Sequence, residues 1–421
     1  MNKRHITQLI RSSLSTFPAV MIIGARQVGK STLAQQLVNE GVVERYDSLD
    51  DLTTLEAARL DPDGFLHRYH NVSSVALDEI QRVPDLLRAL KKSIDENRRA
   101  GRFLLTGSAN ILTYPGVTES LAGRMDIIHL EGFSVSELHQ EARGSAFIDH
   151  LFVADPIEKV STYCETILKH KSVLSKMQLR ELIFYGGFPE IALSRSATFS
   201  ERWFSAYQTA YIERDVRDLT KLLDVIPFSK LLRLAGLRTA NLLNVKNLGA
   251  DVGIDQRTVS RYLHLLEITF QANQLTPWHT SQRKRLVKTP KFYLNDSGFA
   301  CFLHGMTNPQ QLETYPQLGA LFETWAWAEL RKLLASTAGI STSFYRTHQG
   351  REVDFVLEKG QCRWGIEIKW THSVTKSDFA GLIDMQEAMG ENAFGIIFYM
   401  GNSLTHFSKK LLAAPLTCLL F

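Results

Sequence analysis

Cysteine is scarce in this sequence, and the four present, Cys164, Cys301, Cys362 and Cys418, lack the spacing of a metal site or a disulfide framework. No apolar run approaches the roughly 20 residues that a membrane-spanning helix needs. The N-terminus is not followed by the apolar stretch of a signal peptide. The net charge of +4 is too small to indicate nucleic acid by itself. These absences favour reduced thiols, a cytoplasmic location and no membrane partner.

Low-complexity segments and internal repeats are also absent, and the hydrophobic and charged fractions, 44% and 22%, are ordinary for a globular protein. A chain of 421 residues is too long for one core, so two or three domains are expected.

A phosphate-binding loop is the clearest motif, because residues 24–31 read Gly-Ala-Arg-Gln-Val-Gly-Lys-Ser and match G-x-x-x-x-G-K-[ST] at every fixed position. An apolar strand precedes the loop and a helix follows it, a context that disfavours an incidental glycine turn. We expect Lys30 to reach the β- and γ-phosphates of ATP and Ser31 to bind Mg²⁺. The predicted nucleotide-binding residues of the loop are Gly24, Gln27, Gly29, Lys30, Ser31 and Thr32.

Two acidic residues, Asp78 and Glu79, end the apolar run that begins at Val75. After a complete phosphate loop, this pattern predicts that Asp78 holds Mg²⁺ through water and that Glu79 polarises the attacking water. A further strand from Phe103 ends in small polar residues that include Ser108. Such residues are able to sense the γ-phosphate or the attacking water.

The order of these motifs resembles that of the AAA+ ATPases. The resemblance implies that Ser108 or Asn110 is the sensor-1 residue. It also implies that Arg124, just before the fifth strand, is an arginine finger that reaches the γ-phosphate of a neighbouring subunit, so a homo-oligomer is expected. The alternative for Arg124 is a solvated arginine at a helix end.

Four short sequence segments make the resemblance more specific. Together they resemble those of a prokaryotic family of AAA-type ATPases that carry a C-terminal domain of unknown function. The segments are residues 132–138, 185–190, 211–216 and 352–355. The segment from about residue 156 to residue 243 is helical in pattern and occupies the place of the AAA+ helical lid. Within it, Arg214 or Arg217 is a candidate nucleotide contact, but the alternating charges of this helix favour a surface charge network for both.

A helix-turn-helix is predicted over residues 248–263, with Gly253 at the turn and the small Gly249 allowing the helices to approach. The second helix is expected to expose Arg257 and Arg261 to DNA. A possible basic wing follows, and its predicted phosphate contacts are Arg283, Lys284 and Arg285, with Lys288 and Lys291 nearby. Winged helices also serve as protein-binding modules, which is the alternative.

Two alternating runs, residues 351–358 and 363–370, form a hairpin around a turn at residues 359–361. A turn centred between Gly360 and Gln361 places Asp354 directly opposite Glu367, with Lys369 on the same face. Two facing carboxylates repel each other unless a cation lies between them, which suggests Mg²⁺. The opposite face is apolar, so we expect the charged trio to be exposed.

The Asp…Glu-x-Lys arrangement resembles the PD-(D/E)XK nuclease core, which often adds a glutamate from a preceding helix, here Glu323. The resemblance implies a metal site formed by Glu323, Asp354 and Glu367, with Lys369 beside the water. The alternative is an ordinary β-hairpin without a metal site, whose solvent-facing side carries charged residues.

The sequence therefore predicts an α/β protein in four parts. They are a P-loop AAA+ core (1–140), a helical lid or linker (141–243), a winged helix-turn-helix (244–294) and a C-terminal α/β nuclease-like domain (295–421). The expected function is ATP-dependent action on DNA. The rival is a nucleotide-switched regulatory ATPase whose C-terminal domains bind proteins and cleave nothing.

Overall fold

The structure is a computed structural model that describes residues 3–108, 121, 123–141, 146–210, 224–281 and 288–421. The described residues divide into two compact units. The first unit comprises residues from 4–132 and 265–271, and the second comprises residues from 133–264 and 272–421 together with Lys3.

A parallel sheet forms the centre of the first unit. Its described strands are β1 (Ala19–Ile23), β2 (Arg45–Ser48), β3 (Val75–Asp78), β4 (Phe103–Gly107) and β5 (Met125–His129). The helices are α1 (Thr7–Leu14), α2 (Lys30–Asn39), α3 (Leu52–Leu60), α4 (Pro62–His67) and α5 (Leu86–Glu96). The strand order β2-β3-β4-β1-β5 inserts β4 between β1 and β3. Since neighbouring strands are parallel, the carboxyl ends of these three strands lie side by side.

The three central strands are buried along their whole length, as expected when helices cover both faces of a parallel sheet. The predicted parallel α/β core is therefore confirmed.

The second unit begins with helices. They are α6 (Val135–Leu138), α7 (Ala146–Asp149), α8 (Pro156–His170), α9 (Lys176–Tyr185), α10 (Pro189–Ser194), α11 (Ala197–Ala210) and α12 (Val225–Gly236). A helix pair and a small antiparallel sheet follow. They are β6 (Asn241–Leu242), α13 (Val245–Val252), α14 (Gln256–Ile268), β7 (Ala272–Leu275) and β8 (Lys291–Leu294), with sheet order β6-β8-β7.

The C-terminal part contains a six-stranded mixed sheet of order β13-β14-β12-β11-β10-β9 within the described ranges. Its elements are α15 (Ser297–Leu303), α16 (Leu318–Leu334), β9 (Ser341–Arg346), β10 (Glu352–Lys359), β11 (Cys362–Lys369), α17 (Ala380–Met389), β12 (Ala393–Tyr399), β13 (Thr405–Ser408), β14 (Leu411–Pro415) and α18 (Thr417–Leu420). Short 3-10 turns lie at Ile80–Arg82, Pro309–Glu313 and Lys376–Phe379. Helix α17 carries the chain from β11 to its parallel neighbour β12.

The expected lid segment packs against the C-terminal sheet. In the second unit the Cys418 sulfur lies 3.8 Å from the Cys164 carbonyl oxygen of α8, and Leu174 donates to Thr417 Oγ1 at 3.2 Å. Trp364 of β11 donates its indole N–H to the Leu151 carbonyl at 2.7 Å. These helices and the C-terminal strands therefore share one unit, whereas the sequence predicts separate lid and C-terminal domains. None of the helices in the described ranges is long and apolar enough to cross a membrane.

Candidate functional site

The phosphate loop connects β1 to α2, and its backbone requires glycine at two positions. Gly24 and Gly29 have φ of 158° and 96°. A Cβ at Gly24 would collide with the carbonyl oxygen of Leu130. Helix α2 begins at Lys30, so its unpaired N–H groups face the loop. The loop thus has the close backbone approach that phosphate binding needs.

Lys30 is buried inside this loop. Its ammonium group donates to the carbonyl oxygens of Gly24 at 2.9 Å and Ala25 at 2.7 Å. Ser31 and Thr32 follow it in the first turn of α2, and Gln27 lies on the loop with φ of 64°. The lysine charge is therefore positioned where phosphate oxygens can replace carbonyl oxygens as its acceptors.

Arg4, which lies outside the phosphate loop in the sequence, hydrogen-bonds to the loop backbone. The sequence does not predict this role. The Arg4 guanidinium donates to the carbonyl oxygens of Val28 at 3.0 Å, Glu131 at 2.5 Å and Gly132 at 3.1 Å. The residue is buried. Because an arginine presents several donors in a rigid plane, it ties the loop to the segment that follows β5.

Asp78 ends β3 and is 3% exposed. Its oxygens accept hydrogen bonds from Thr106 Oγ1 at 2.5 Å, Tyr46 Oη at 2.9 Å and Ser48 Oγ at 3.3 Å. Burial and the Asp78 charge raise the pKa of Tyr46 to about 12, so the phenol remains a donor at neutral pH. These oxygen-rich surroundings, with Ser31 on the neighbouring helix, fit the ligands that Mg²⁺ prefers.

Glu79 adopts a left-handed conformation, with φ of 59°, immediately after β3. Gln81 Nε2 donates to the Glu79 carboxylate and to Ser108 Oγ at 2.9 Å. Ser108 Oγ lies 3.4 Å from Glu79 Oε2. The structure therefore brings the predicted water-activating residue and one predicted sensor together, and adds Gln81. Asn110, the other sensor candidate, lies outside the described residues.

Arg124 is engaged within its own chain. Its guanidinium makes two contacts with the Asp95 carboxylate, at 2.7 and 3.0 Å. The Ala19 N–H bonds to the Arg124 carbonyl oxygen, and β1 runs parallel to β5. Arg124 thus lies at the amino edge of the sheet, whereas the phosphate loop follows the carboxyl edge. It is not near the loop of its own chain.

The helix pair α13–α14 has the close contact that the sequence predicts. A Cβ on Gly249 would lie 2.8 Å from the Ile254 carbonyl oxygen, and Gly253 ends α13 with φ of 88°. One face of α14 is exposed, and its residues are Gln256, Arg257, Ser260, Arg261 and His264. The predicted lid arginines Arg214 and Arg217 and the wing residues Arg283, Lys284 and Arg285 lie outside the described residues.

The described arms of the expected wing pack on the C-terminal sheet. Trp278 donates its backbone N–H to the Phe344 carbonyl oxygen at 2.6 Å, and Phe344 donates to Thr276 at 3.1 Å. Lys288 is exposed, but Lys291 is buried. Assigning Lys291 to a solvent-facing basic wing is therefore wrong.

The hairpin β10–β11 has the predicted register, in which Phe355 pairs with Ile366 and Lys359 with Cys362. The pairing of β10 with β9 shifts by one residue between Val353 and Val356, which marks a β-bulge or similar irregularity at residues 354–355. Bulges redirect side chains. Carboxylate oxygens of Asp354, Glu352 and Glu323 lie within 4.8 Å of one another.

We call Glu323, Glu352, Asp354 and Glu367 the acidic cluster. Glu367 lies on the other side of Asp354: its carboxyl group hydrogen-bonds with Asp354, and Lys369 Nζ contacts Glu367 Oε2 at 3.3 Å. The predicted ligand set of Glu323, Asp354 and Glu367 is thus not the set that the structure groups together. Glu352 takes the place of Glu367.

The expected exposure of the trio is wrong for Glu367, which is 4% exposed. Helix α17 covers this face of the hairpin, and a Cβ on Gly381 would lie 3.2 Å from Glu367 Oε1. The other face carries Trp364 and Ile366, both fully buried, as predicted. Both faces of the hairpin are therefore covered.

Lys291 from β8 enters the acidic cluster. Its ammonium group donates to Glu323 Oε1 at 2.7 Å and contacts Glu352 Oε1. Tyr293 donates to the same Glu323 oxygen at 2.5 Å. A divalent cation would need these carboxylate oxygens as direct ligands at roughly 2.0–2.6 Å. The residues present therefore do not fit a metal while Lys291 holds them.

Burial and mutual repulsion shift the cluster's titrations. Burial and then the Asp354 charge raise the pKa of Glu323 to about 7. Burial raises the pKa of Asp354, and burial with the Asp354 charge raises that of Glu367 well above its usual range. Burial lowers the pKa of Lys291, but the charges of Glu323, Asp354 and Glu352 outweigh it, and the net shift is upward. The net upward shift keeps Lys291 charged at neutral pH.

The loop, the acidic end of β3 and the parallel sheet together define a P-loop nucleotide-binding core. Residues 16–139 match the family model of an AAA domain, which supports an AAA-type ATPase. Residues 176–310 and 318–419 match two domains of unknown function, DUF8612 and DUF4143.

Two mycobacterial proteins resemble most of the chain. Uncharacterized proteins of Mycobacterium tuberculosis and Mycobacterium bovis are each 29% identical to it over 390 residues, covering 92% of this chain and 79% of the relative. Among solved structures, a DNA replication initiation factor is similar over 62% of this chain and 85% of its own, with 14% identity and a TM-score of 0.26. A score this low does not establish a common overall fold.

Proposed function

We propose that this chain is a Mg²⁺-dependent ATP hydrolase of the AAA+ class that acts on DNA. The observation that carries the proposal is the adjacency of β1, β3 and β4, because the loop with Lys30 follows β1, Asp78 and Glu79 end β3, and Ser108 follows β4 with its Oγ 3.4 Å from Glu79 Oε2. Phosphoryl transfer to water requires a lysine that binds the phosphates, a carboxylate that holds Mg²⁺ and a second group that positions the attacking water. The loop lysine and the two carboxylates at the end of β3 are groups of these kinds.

Each residue has a distinct task in this proposal. The loop N–H groups and Lys30 bind the phosphates, and Lys30 exchanges the Gly24 and Ala25 carbonyls for phosphate oxygens. Ser31 and Asp78 hold Mg²⁺, which neutralises charge on the β- and γ-phosphates when bound. Glu79 orients the attacking water and accepts its proton, while Ser108 fixes the position of the Glu79 carboxylate.

Action on DNA is supported by the exposed face of α14, which carries Arg257 and Arg261. A helix that follows a tight turn and presents arginines to solvent suits groove and phosphate contacts. The deciding experiment measures ATP turnover with single-stranded, duplex and branched DNA. We expect DNA to stimulate turnover. Turnover indifferent to every DNA would instead favour a regulatory ATPase whose C-terminal domains bind proteins.

Reversing the charge of α14 is expected to weaken DNA binding. The double variant Arg257→Glu/Arg261→Glu removes two cations that are candidates to neutralise DNA phosphates. The slope of log affinity against log salt should therefore become shallower by about 1 for each phosphate that is no longer neutralised. Fluorescence anisotropy with labelled duplex DNA over a salt series measures both the affinity and the slope.

A matched control for this test is Lys169→Glu/Arg202→Glu, which reverses two exposed charges elsewhere in the second unit. It should bind DNA like the wild type. Equal weakening in both double variants would show a general charge effect. Unchanged binding in the α14 variant would move the DNA site elsewhere, with residues 283–285 the next to reverse.

Arg124 provides a test of assembly. If it completes the ATPase site of a neighbouring subunit, specific activity should rise with protein concentration, and Arg124→Ala should lose hydrolysis while keeping ATP affinity. The control is Asp95→Ala, which frees Arg124 from its ion pair without removing it and should retain turnover. A strictly monomeric protein with full activity would leave Arg124 a structural role within its own chain.

A further inference from the structure

Lys291 has an unusual position for a lysine, because its side chain is only 3% exposed and points into the acidic cluster. Its backbone is fixed by β8, where Lys291 pairs with Leu242 of β6 and Leu275 of β7. The ammonium group therefore comes from the small antiparallel sheet β6-β8-β7, whereas the carboxylates come from α16 and the hairpin. Contact between these elements lies within the second unit.

The carboxylates near Lys291 already have further partners. Glu352 Oε2 accepts from Arg346 at 3.0 Å, so both of its oxygens are engaged by cations. Asp354 Oδ2 accepts the Ile368 N–H at 2.9 Å, and Glu323 Oε1 accepts from Tyr293 as well as Lys291. Every carboxylate of the closest three therefore has at least one oxygen bonded by the protein itself.

We infer that the Lys291 ammonium group takes the place of a divalent cation in the acidic cluster, so that this cluster joins the β6-β8-β7 sheet to α16 and the β10–β11 hairpin and does not bind metal. Partly buried carboxylates this close together need a countercharge, and an ammonium group with three donors supplies one together with hydrogen bonds. An ammonium nitrogen and a metal ion cannot both occupy the space among the same oxygens. The inference concerns the C-terminal domain and is independent of the proposed ATP hydrolysis.

The test is Mn²⁺ binding to the nucleotide-free, full-length protein, followed by loss of the electron paramagnetic resonance signal of free Mn²⁺. We expect wild type and Asp354→Asn to give the same binding curve at millimolar Mn²⁺. We expect Lys291→Met to gain a Mn²⁺ site that fills over the concentration range in which the wild type shows no binding that depends on Asp354. That gain should disappear in Lys291→Met/Asp354→Asn.

Lys288→Met is the matched control, because it removes an exposed lysine three positions earlier and should bind like the wild type. If Lys291→Met does not fold, Lys291→Gln replaces it, since the amide is neutral yet still able to donate to Glu323. Mn²⁺ binding by the wild type that is lost in Asp354→Asn would overturn the inference. Failure of the soluble Lys291 variant to gain a site would also overturn it, as would Mn²⁺-dependent DNA cleavage that requires Asp354.

Discussion

Replacing Lys30 with alanine is expected to abolish ATP binding and turnover. The lysine is the buried cation of the phosphate loop, and the carbonyl oxygens of Gly24 and Ala25 are two of its acceptors. A charge-assisted hydrogen bond contributes about 1.5–3 kcal/mol. Losing two such bonds to phosphate oxygens should weaken binding by roughly 100-fold or more. Equilibrium binding of a fluorescent ATP analogue and steady-state phosphate release measure the two effects.

Lys92→Ala is the control for this substitution. Lys92 lies in the same unit, but it is exposed and its ion pair with Asp63 is on the surface, so its loss should change neither binding nor turnover. Circular dichroism should show that both variants are folded. Undiminished ATP turnover in Lys30→Ala would refute the nucleotide site, because no other part of the proposal supplies the missing charge.

The parts of the first unit that sequence could predict are those fixed by neighbouring residues. The loop between β1 and α2 depends on glycines a few positions apart, so its pattern is visible without the fold. The Arg4 contacts are different, since Glu131 is 127 residues away in the sequence. The partners of Asp78 are similarly remote in the chain, with Thr106 on β4 and Tyr46 on β2. Only the strand order brings these side chains together, and no local pattern encodes it.

In the acidic cluster too, features set by neighbouring residues were predictable from the sequence, and features set by tertiary contacts were not. Alternation and the turn at Gly360 determine the register of the hairpin, which sequence predicted. Burial of Glu367 depends on α17 packing close at Gly381, and local alternation says nothing about what covers a charged face. Lys291 is the residue whose environment differs most from what its local sequence predicts. A run of basic residues favours a solvated wing, but the acceptors of Lys291 lie on α16 and β10, so its burial follows from tertiary contacts alone.

Glu79→Gln is expected to bind ATP normally and fail to hydrolyse it. Glutamine has the same shape, so contacts with Gln81 and Ser108 can persist, but an amide does not accept a proton from water. Removing a positioned general base typically costs about 10²–10⁴-fold in rate. Single-turnover hydrolysis, with nucleotide affinity measured in parallel, separates the lost chemical step from any loss of binding.

Gln81→Ala is the informative comparison, because it removes the donor that holds the Glu79 carboxylate and leaves the base itself. Removing one hydrogen bond of about 1.4 kcal/mol corresponds to a tenfold effect, so the rate should fall by about tenfold in this variant, which is less than the loss expected for Glu79→Gln. Hydrolysis by Glu79→Gln at the wild-type rate would mean that another group activates the water. A loss in Gln81→Ala as deep as that in Glu79→Gln would instead assign the water contact to Gln81, with Glu79 as its positioning partner.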